Sequence, residues 1–182
     1  MKKMAERTVY RGRWLEIQEL DFQSEDGEIF TWEKVDRPHD QGGMTLVAQF
    51  QPSGHILLLR QYRPVLEKHI IGFPGGLAEN GDIAGEALRE LKEETGYEGE
   101  VISISPDLRN NPSLLNDKVY IVRIQIDENN PNNCNPQPTP EVSEEIEVFR
   151  KLPGEIPQWL QERHQAGDYV GIGPWYTFCT WE

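Results

Sequence analysis

Apolar residues recur along the chain in short runs of strand length, and each run stops at a turn-forming sequence. The runs predict five strands, at residues 15–20, 29–35, 45–50, 55–62 and 119–126. Turn sequences at 24–27 and 51–54 separate the first two pairs, so each pair is expected to form an antiparallel hairpin. The fifth run has β-branched residues on both faces, which predicts a strand buried on both sides.

Two segments instead show helical spacing with recognisable ends. The first covers residues 83–95 and is followed by Gly96, and the second runs from Pro157 to Ala166 and is followed by Gly167. Between them, residues 127–145 are rich in Asn and Pro and contain almost nothing to bury, so this stretch is expected to be a long loop. Such loops often cover a site, although an excursion without function has the same composition.

Composition adds that the chain is a globular protein with one main domain. It has 182 residues, of which 37% are hydrophobic and 27% charged. No apolar run is long enough to span a membrane, and no apolar segment follows the basic N-terminal residues, so a cytoplasmic location is expected. Only two cysteines occur, Cys134 and Cys179, which argues against a disulfide framework or a cysteine metal site.

The charge balance limits the kinds of ligand that the chain is expected to bind. The chain has 31 acidic and 18 basic residues and a formal net charge of −13, so general affinity for nucleic acid is not expected. An acidic protein can still act on phosphates if clustered carboxylates first recruit divalent cations. The distribution of acidic residues is therefore the informative feature.

The first predicted helix carries such a cluster. With about 100° per residue and Glu86 at zero, Glu90, Glu93 and Glu94 fall near 40°, −20° and 80°, so the four carboxylates share one face. The simpler interpretation is a solvated acidic face with Arg89 and Lys92 as counter-charges. However, residues 73–76 read Phe-Pro-Gly-Gly, and glycines permit close backbone approach while their carbonyls can bind hard cations. Such an oxygen shell suits Mg²⁺ or Mn²⁺.

The paired glycines and the acidic helix together resemble the Nudix box, GX5EX7REUXEEXGU. Residues 89–97, Arg-Glu-Leu-Lys-Glu-Glu-Thr-Gly-Tyr, match the second half of this motif fully. The first half departs from it: Asp82 stands where the family has Glu, and six residues rather than seven separate Asp82 from Arg89. Glu86 is a candidate to compensate for this departure.

The resemblance covers most of the chain and extends to one branch of the family. Residues 60–64, Arg-Gln-Tyr-Arg-Pro, are similar to the branch that acts on ADP-ribose and nucleoside-diphosphate sugars, as is Pro112, which lies 16 residues after Gly96. Gly72 departs from many relatives, which have Glu there. The implied fold is an α/β Nudix α/β/α sandwich with a mixed sheet and an N-terminal antiparallel β extension. The implied organisation is an N-terminal sub-domain at 1–40 that dimerises, and a hydrolase domain at 41–182.

The resemblance also assigns metal ligands. It makes Glu90 and Glu94 the principal ligands of Mg²⁺, for which Mn²⁺ can substitute, with Glu93 and the Gly75 carbonyl completing the cluster. Arg89 would orient these carboxylates, unless it is an ordinary partner of Glu86 or Glu93 one turn away.

For the general base and for the substrate contacts, the resemblance leaves several candidate residues. In this branch the base often comes from a late loop, which makes Glu141, Glu144 and Glu145 candidates, and Glu144 or Glu145 is favoured. Loop acids that only keep the segment soluble are the competing interpretation. The expected substrate-binding residues are Arg63, Arg60, Arg37 and Arg109 for the phosphates and, by analogy with the family branch, Trp32 for stacking on the base. The competing interpretations are that these arginines are ordinary surface residues and that Trp32, as an aromatic residue in a strand, belongs to the core.

The function implied is Mg²⁺-dependent hydrolysis of nucleoside-diphosphate sugars to a nucleoside monophosphate and a sugar 1-phosphate, by a homodimer without nucleic-acid or membrane partners. ADP-ribose is the first expected substrate and GDP-mannose a close second. A hydrolase of dinucleoside polyphosphates or nucleoside triphosphates is an alternative. A catalytically degenerate sensor of nucleotide sugars is another, because of the departure at Asp82.

Overall fold

A computed structural model describes residues 1–37, 42–78, 81–141 and 144–179, which form two compact units. The first unit comprises Met1–Gly43 and Pro106–Tyr120, and the second comprises Met44–Ser105 and Ile121–Glu182. The first unit thus contains a segment that is distant in sequence from the N-terminus.

The first unit is built on a three-stranded antiparallel sheet. Its strands, in spatial and sequence order, are β1 (Lys2–Arg11), β2 (Glu16–Gln23) and β3 (Ile29–Asp36). The predicted turn between β2 and β3 is confirmed: the Ser24 carbonyl accepts the Gly27 N–H, and Gly27 has a φ of 86°, which favours glycine. Strand β1 was not predicted. All ten of its residues are exposed, so it has no buried face for an apolar pattern to reveal.

Residues 106–120 complete the first unit by joining the edge of β3. Val35 pairs with Leu115 in a parallel bridge, and the Trp32 indole Nε1 donates to the Ser113 carbonyl at 2.8 Å. Trp32 and Leu114 also line a small cavity of about 120 Å³ there. Trp32 therefore helps to hold this segment to the sheet.

The second unit is built on a mixed sheet of eight strands. Its strands are β4 (Gly42–Gln51), β5 (Ile56–Arg63), β6 (Lys68–Gly72), β7 (Leu77–Ala78), β8 (Glu100–Ile104), β9 (Val119–Asp127), β10 (Ile146–Lys151) and β11 (Tyr169–Val170). The order is β11-β6-β5-β4-β9-β8, with β10 paired to β5 and β7 to β4. Only the β11–β6 pair is parallel among the pairs β11–β6, β5–β6, β4–β5, β5–β10 and β8–β9. The predicted hairpin of β4 and β5 is confirmed.

Three helices accompany this sheet: α1 (Ile83–Thr95), α2 (Ile156–Gln165) and α3 (Ile172–Phe178). Helix α2 buries Ile156 and Leu160 in one cluster with Leu58 of β5 and Ile71 of β6. Helix α1 ends at Gly96, whose φ is 75°. Both predicted helices are confirmed, with α2 beginning one residue earlier than expected. None of the helices in the described ranges is long and apolar enough to cross a membrane.

The expectation of two-sided burial for β9 is wrong. Val122, Ile124 and Ile126 are buried, whereas the residues that alternate with them are exposed, including Ile121 at 39%. The polar side chains at positions 123 and 125 occupy the same face as Ile121, so one face of the strand is exposed to solvent although the strand is rich in β-branched residues.

The Asn- and Pro-rich segment after β9 is a loop, as predicted, and hydrogen bonds of Asn133 hold it to neighbouring segments. A single 3-10 turn at Pro131–Asn133 buries Asn133, whose amide Nδ2 donates to the Glu98 and Asp127 carbonyls, each at 2.9 Å. Its Oδ1 accepts the Glu98 N–H at 2.8 Å. Further along, the Thr139 N–H donates to the Glu93 carbonyl at 2.8 Å. The loop thus lies across the C-terminal end of α1.

Candidate functional site

The site begins where the chain leaves β6 and passes beside β4. The Pro74 and Gly76 carbonyls accept the N–H groups of Leu46 and Met44, each at 2.8 Å. A Cβ atom on Gly75 would lie 2.2 Å from the Met44 carbonyl oxygen, far inside van der Waals contact. Glycine at position 75 is therefore required by the close approach of these two backbones.

The chain then enters α1 through Asp82, which is the N-cap of this helix. The Asp82 carboxylate accepts the Gly85 N–H at 3.0 Å, so it satisfies one of the unpaired amide groups of the first turn. This capping role gives the departure from the Nudix box at Asp82 a local structural reason. Glu86, one turn later, is hydrogen-bonded to Arg89.

The two glycines lie against two carboxylates of α1. The Gly75 N–H donates to Glu94 Oε2 at 3.0 Å. A Cβ atom on Gly76 would lie 2.3 Å from the Glu90 carboxyl carbon, so a side chain at position 76 would displace the Glu90 carboxylate from this place. The glycines and the acidic helix face, which the sequence motif linked, are thus in direct contact.

Burial and mutual repulsion make these carboxylates unusual. Glu94 is only 2% exposed, and its burial, with the charges of Glu144 and Glu90, raises its pKa to about 8 against the opposing effects of the Gly75 N–H and Arg63. Burial likewise raises the pKa of Glu90, and the charge of Glu144 adds to this effect. The cluster is a concentration of negative charge that a cation would stabilise.

Arg89 supplies part of the compensating charge. Its guanidinium donates to Glu86 at 2.9 Å, to Glu93 at 2.5 Å and to Glu90 at 2.7 Å. These hydrogen bonds, above all that of Glu86, raise the pKa of Arg89. Arg89 thus contacts both one-turn neighbours, Glu86 and Glu93, and it contacts Glu90 in addition.

The oxygen atoms at this site are of the kind that bind a hard divalent cation. Glu90 and Glu94 place carboxylate oxygens beside glycine backbone, which is the ligand type that Mg²⁺ prefers. Within the described ranges, no three His, Cys, Asp or Glu side chains converge closely enough to hold a metal. Arg89 and the Gly75 N–H hold the carboxylates instead, so a cation would replace these partners.

The three candidate loop acids are brought to different places. Glu144 accepts a hydrogen bond from the buried Gln61 amide at 3.3 Å, and its charge acts on the carboxylates of the α1 cluster. Glu145 is exposed and lies 3.1 Å from His69 Nε2. The Glu141 N–H donates to Glu144 at 3.3 Å. Of the three, Glu144 is the acid whose charge reaches the cluster.

The two candidate arginines of β5 lie on opposite faces of the sheet. Arg60 has the same parity as the core residue Leu58, and it is held by Asp168 at 3.0 Å and Glu147 at 2.6 Å. Arg63 has the opposite parity, and its charge acts on Glu94. The charge of Arg63 therefore acts on the acidic cluster, whereas Arg60 is engaged in an ion-pair network on the other face.

The remaining predicted substrate contacts lie in the first unit. Trp32 is 50% exposed, and its indole N–H is engaged by the Ser113 carbonyl. Arg37 is exposed immediately after β3. Arg109 donates to the Asp117 carbonyl and to Asp107.

Two residues with a part in these contacts were not predicted: Gln61, which contacts Glu144, and Asp168, which joins Arg60 to Arg163. Gln61 could have been found from strand parity, because it alternates with Arg60 on β5 and so projects from the other face. Nothing in the local sequence of Asp168 indicates a partner 108 positions earlier.

Comparisons with known proteins identify the family of this chain. The family model described as NUDIX domain matches residues 41–166. The chain is 31% identical over 153 residues to ADP-sugar pyrophosphatase from Mus musculus, covering 80% of this chain and 70% of that protein. It is 32% identical over 164 residues to ADP-ribose pyrophosphatase from Saccharomyces cerevisiae, covering 85% and 71%.

A solved structure supports the fold. The crystal structure of an ADP compounds hydrolase superposes with a TM-score of 0.70 over 88% of this chain and 82% of that chain, at 24% identity. The predicted α/β fold with a mixed sheet and an N-terminal antiparallel extension is confirmed. The family match extends over more than half of the chain. The chain therefore belongs to the Nudix hydrolase family.

Proposed function

We propose that this protein hydrolyses the pyrophosphate bond of nucleoside-diphosphate sugars in a Mg²⁺-dependent reaction, with ADP-ribose as the first substrate and GDP-mannose as the second. The observation that carries the proposal is the buried Glu94 carboxylate, which lies with Glu90 against the paired glycines and within reach of the charge of Glu144. The names of the mouse and yeast relatives support the substrate class.

The proposed Mg²⁺ ligands are Glu90, Glu94, Glu93 and the Gly75 carbonyl, and Mn²⁺ is expected to substitute. When bound, the metal would neutralise the diphosphate and lower the pKa of a bound water. Arg89 would keep the carboxylates of α1 oriented, because it already contacts Glu90 and Glu93.

Glu144 is the proposed general base. It would accept a proton from water as the water oxygen bonds to one phosphorus and the bond from that phosphorus to the bridging oxygen breaks. The products are a nucleoside monophosphate and a sugar phosphate. Arg63 would contact the substrate phosphates, because its charge lies on the same sheet face as the cluster. Trp32, Arg37 and Arg109 remain predicted contacts of the nucleotide.

A homodimer formed through the first unit is also part of the proposal. The three-stranded sheet exposes large apolar side chains, including Met4, Val9, Tyr10 and Ile29. Exposed apolar surface of this kind is typical of protein interfaces. Light scattering after size-exclusion chromatography should give a dimer, and Tyr10→Ser with Ile29→Ser should shift it towards the monomer.

The activity is tested by incubating the protein with Mg²⁺ and a nucleotide panel, followed by phosphatase treatment and phosphate measurement. Nucleotide sugars should give phosphate, and a chelator should abolish it. Phosphatase removes phosphate from nucleoside triphosphates directly, so these are assayed with inorganic pyrophosphatase instead. A stronger signal from nucleoside triphosphates or dinucleoside polyphosphates would favour those hydrolases. Binding of ADP-ribose without turnover would favour a sensor.

A further inference from the structure

Gln61 is a polar residue in the middle of the sheet whose backbone is fixed on both sides. It lies on β5 and pairs with Ile70 of β6 on one side and with Ile146 of β10 on the other. The residue is 6% exposed, although glutamine is usually found at the surface. A buried amide of this kind needs a hydrogen-bond partner.

The partner of the Gln61 side chain is Glu144. The Gln61 Nε2 donates to Glu144 Oε1 at 3.3 Å, and the Glu141 N–H donates to Glu144 Oε2, also at 3.3 Å. The backbone next to this contact is held as well, because the Tyr62 N–H donates to the Glu145 carbonyl at 3.1 Å. Both carboxylate oxygens of Glu144 are therefore oriented by neutral donors.

Gln61 projects from the face of β5 that also carries Arg63. Along β5, Gln61 alternates with Arg60 and Tyr62 and shares a face with Arg63, whose charge acts on Glu94. An amide N–H can orient a carboxylate without bringing a positive charge, which would compete with a divalent cation for the same oxygens. Lysine or arginine at position 61 would form an ion pair with Glu144 instead.

We propose that Gln61 is a positioning residue that holds Glu144 towards the Glu90 and Glu94 cluster. This inference rests on the proposed function, in which Glu144 is the general base. Gln61 acts through Glu144 and does not itself touch the substrate.

The first experiment compares Gln61→Met with Gln49→Met in the full-length protein with Mg²⁺ and ADP-ribose. Methionine has a similar length but cannot donate. Gln49 is a matched control, because its Nε2 also donates over 3.3 Å, but to the Gly54 carbonyl in the β4–β5 turn. We expect kcat of Gln61→Met to fall by about 10- to 100-fold with little change in KM, and Gln49→Met to behave as wild type. A kcat equal to that of wild type, or a raised KM at unchanged kcat, would overturn the proposal.

A double variant tests whether Gln61 acts through Glu144. In a Glu144→Gln background, Gln61→Met should cause little further loss of kcat, because the base that it positions is already absent. Independent, multiplying losses would show that Gln61 has a different role. If Gln61→Met does not fold, Gln61→Leu replaces it, because leucine also lacks a donor and should lower kcat in the same way.

A measurement without substrate or metal separates this inference from the proposed activity. A protease that cleaves after glutamate should cut Gln61→Met at Glu144 and Glu145 faster than it cuts wild type or Gln49→Met. Equal cleavage rates would contradict the positioning role whatever the activity. Normal turnover by Glu144→Gln alone would instead refute the general base, and the role of Gln61 with it, while leaving the metal cluster to be tested separately.

Discussion

Glu94 is a buried carboxyl group whose surroundings disfavour its charged form. Burial and the charges of Glu144 and Glu90 favour its protonated form, while the Gly75 N–H and Arg63 only partly compensate. A carboxylate that served stability alone would be paired with a closer cation or exposed to water. This environment is what the proposed binding of a positive ligand at the acidic cluster requires.

Glu94→Gln should separate stability from activity. The Gln side chain can still accept the Gly75 N–H, and folding no longer has to bury an ionisable group beside Glu90 and Glu144. We expect kcat for ADP-ribose to fall by at least about 100-fold, while the free energy of unfolding does not decrease. Turnover and urea denaturation are the measurements, with Glu100→Gln as a control at an exposed position of β8. Unaffected turnover would disprove the assignment of Glu94 as a metal ligand.

Asp168 provides a prediction for stability against pH. It is 5% exposed; burial would raise its pKa, but hydrogen bonds and charges of Arg163 and Arg60 outweigh this and leave the pKa below its usual value. A carboxyl with a lowered folded pKa stabilises the fold above its unfolded pKa of about 3.9, and the contribution is lost as the pH falls through the folded pKa. Asp168→Asn should therefore cost about 2 kcal/mol at pH 7, the scale of a lost hydrogen bond between charged groups.

The difference between Asp168→Asn and wild type should begin to shrink as the pH falls below about 4, where the carboxyl of the unfolded chain takes up a proton, and it should be lost as the pH falls through the lower pKa of the folded protein. Asp107→Asn is the control, because its pair with Arg109 is exposed and should contribute little. Urea denaturation at several pH values measures both variants. A difference that is independent of pH would show that the ion pairs are not its source.

Among the secondary-structure elements, the C-terminal end of α1 and the loop after β9 depend on each other. Gly96 closes the helix in the left-handed conformation, and the backbone of residues 136–137 packs directly on it. Thr139 and Asn133 add hydrogen bonds to Glu93 and Glu98. The loop that leads to Glu144 is thus attached to the helix that carries Glu94.

Gly96→Ala should disturb both elements at once. Its φ of 75° is unfavourable for alanine, and the new Cβ would lie 2.4 Å from the Gln137 amide nitrogen. The strain alone should cost about 1 to 2 kcal/mol, and displacement of the loop should add to it. Thermal unfolding and proteolysis within residues 134–141 measure the two effects. Gly154→Ala, where no atom lies within 4 Å of the new Cβ, should change neither.

For the protein as a whole, the net charge of −13 has two consequences. It repels an anionic ligand such as a diphosphate, and repulsion among the acidic residues themselves destabilises the folded state. General screening by salt should relieve part of this repulsion. A specific divalent site adds a second effect, because a ligand that binds only the folded state stabilises it. Salt and Mg²⁺ can therefore be distinguished in the same unfolding experiment.

At matched ionic strength, MgCl₂ should raise Tm more than NaCl does. With Mg²⁺ at about ten times its Kd, the specific stabilisation is about 1.4 kcal/mol, which corresponds to roughly 3 to 5 °C for a chain of this size. The excess should disappear in Glu90→Gln and persist in Glu100→Gln. An equal effect of the two salts on wild type would indicate that the cluster does not bind Mg²⁺ without substrate.

Neighbouring residues alone were enough to predict the two hairpins, the bounds of α1, the glycine that closes it, and the acidic face beside paired glycines. These features follow from short-range periodicity, turn chemistry and capping, which are local. Three others required the folded chain: the charge of Arg63 rather than that of Arg60 acts on the cluster, one face of β9 is exposed to solvent, and Gln61 reaches Glu144. They depend on which strands become neighbours and on how the chain is packed, and a local pattern does not encode contacts between residues that are far apart in the chain.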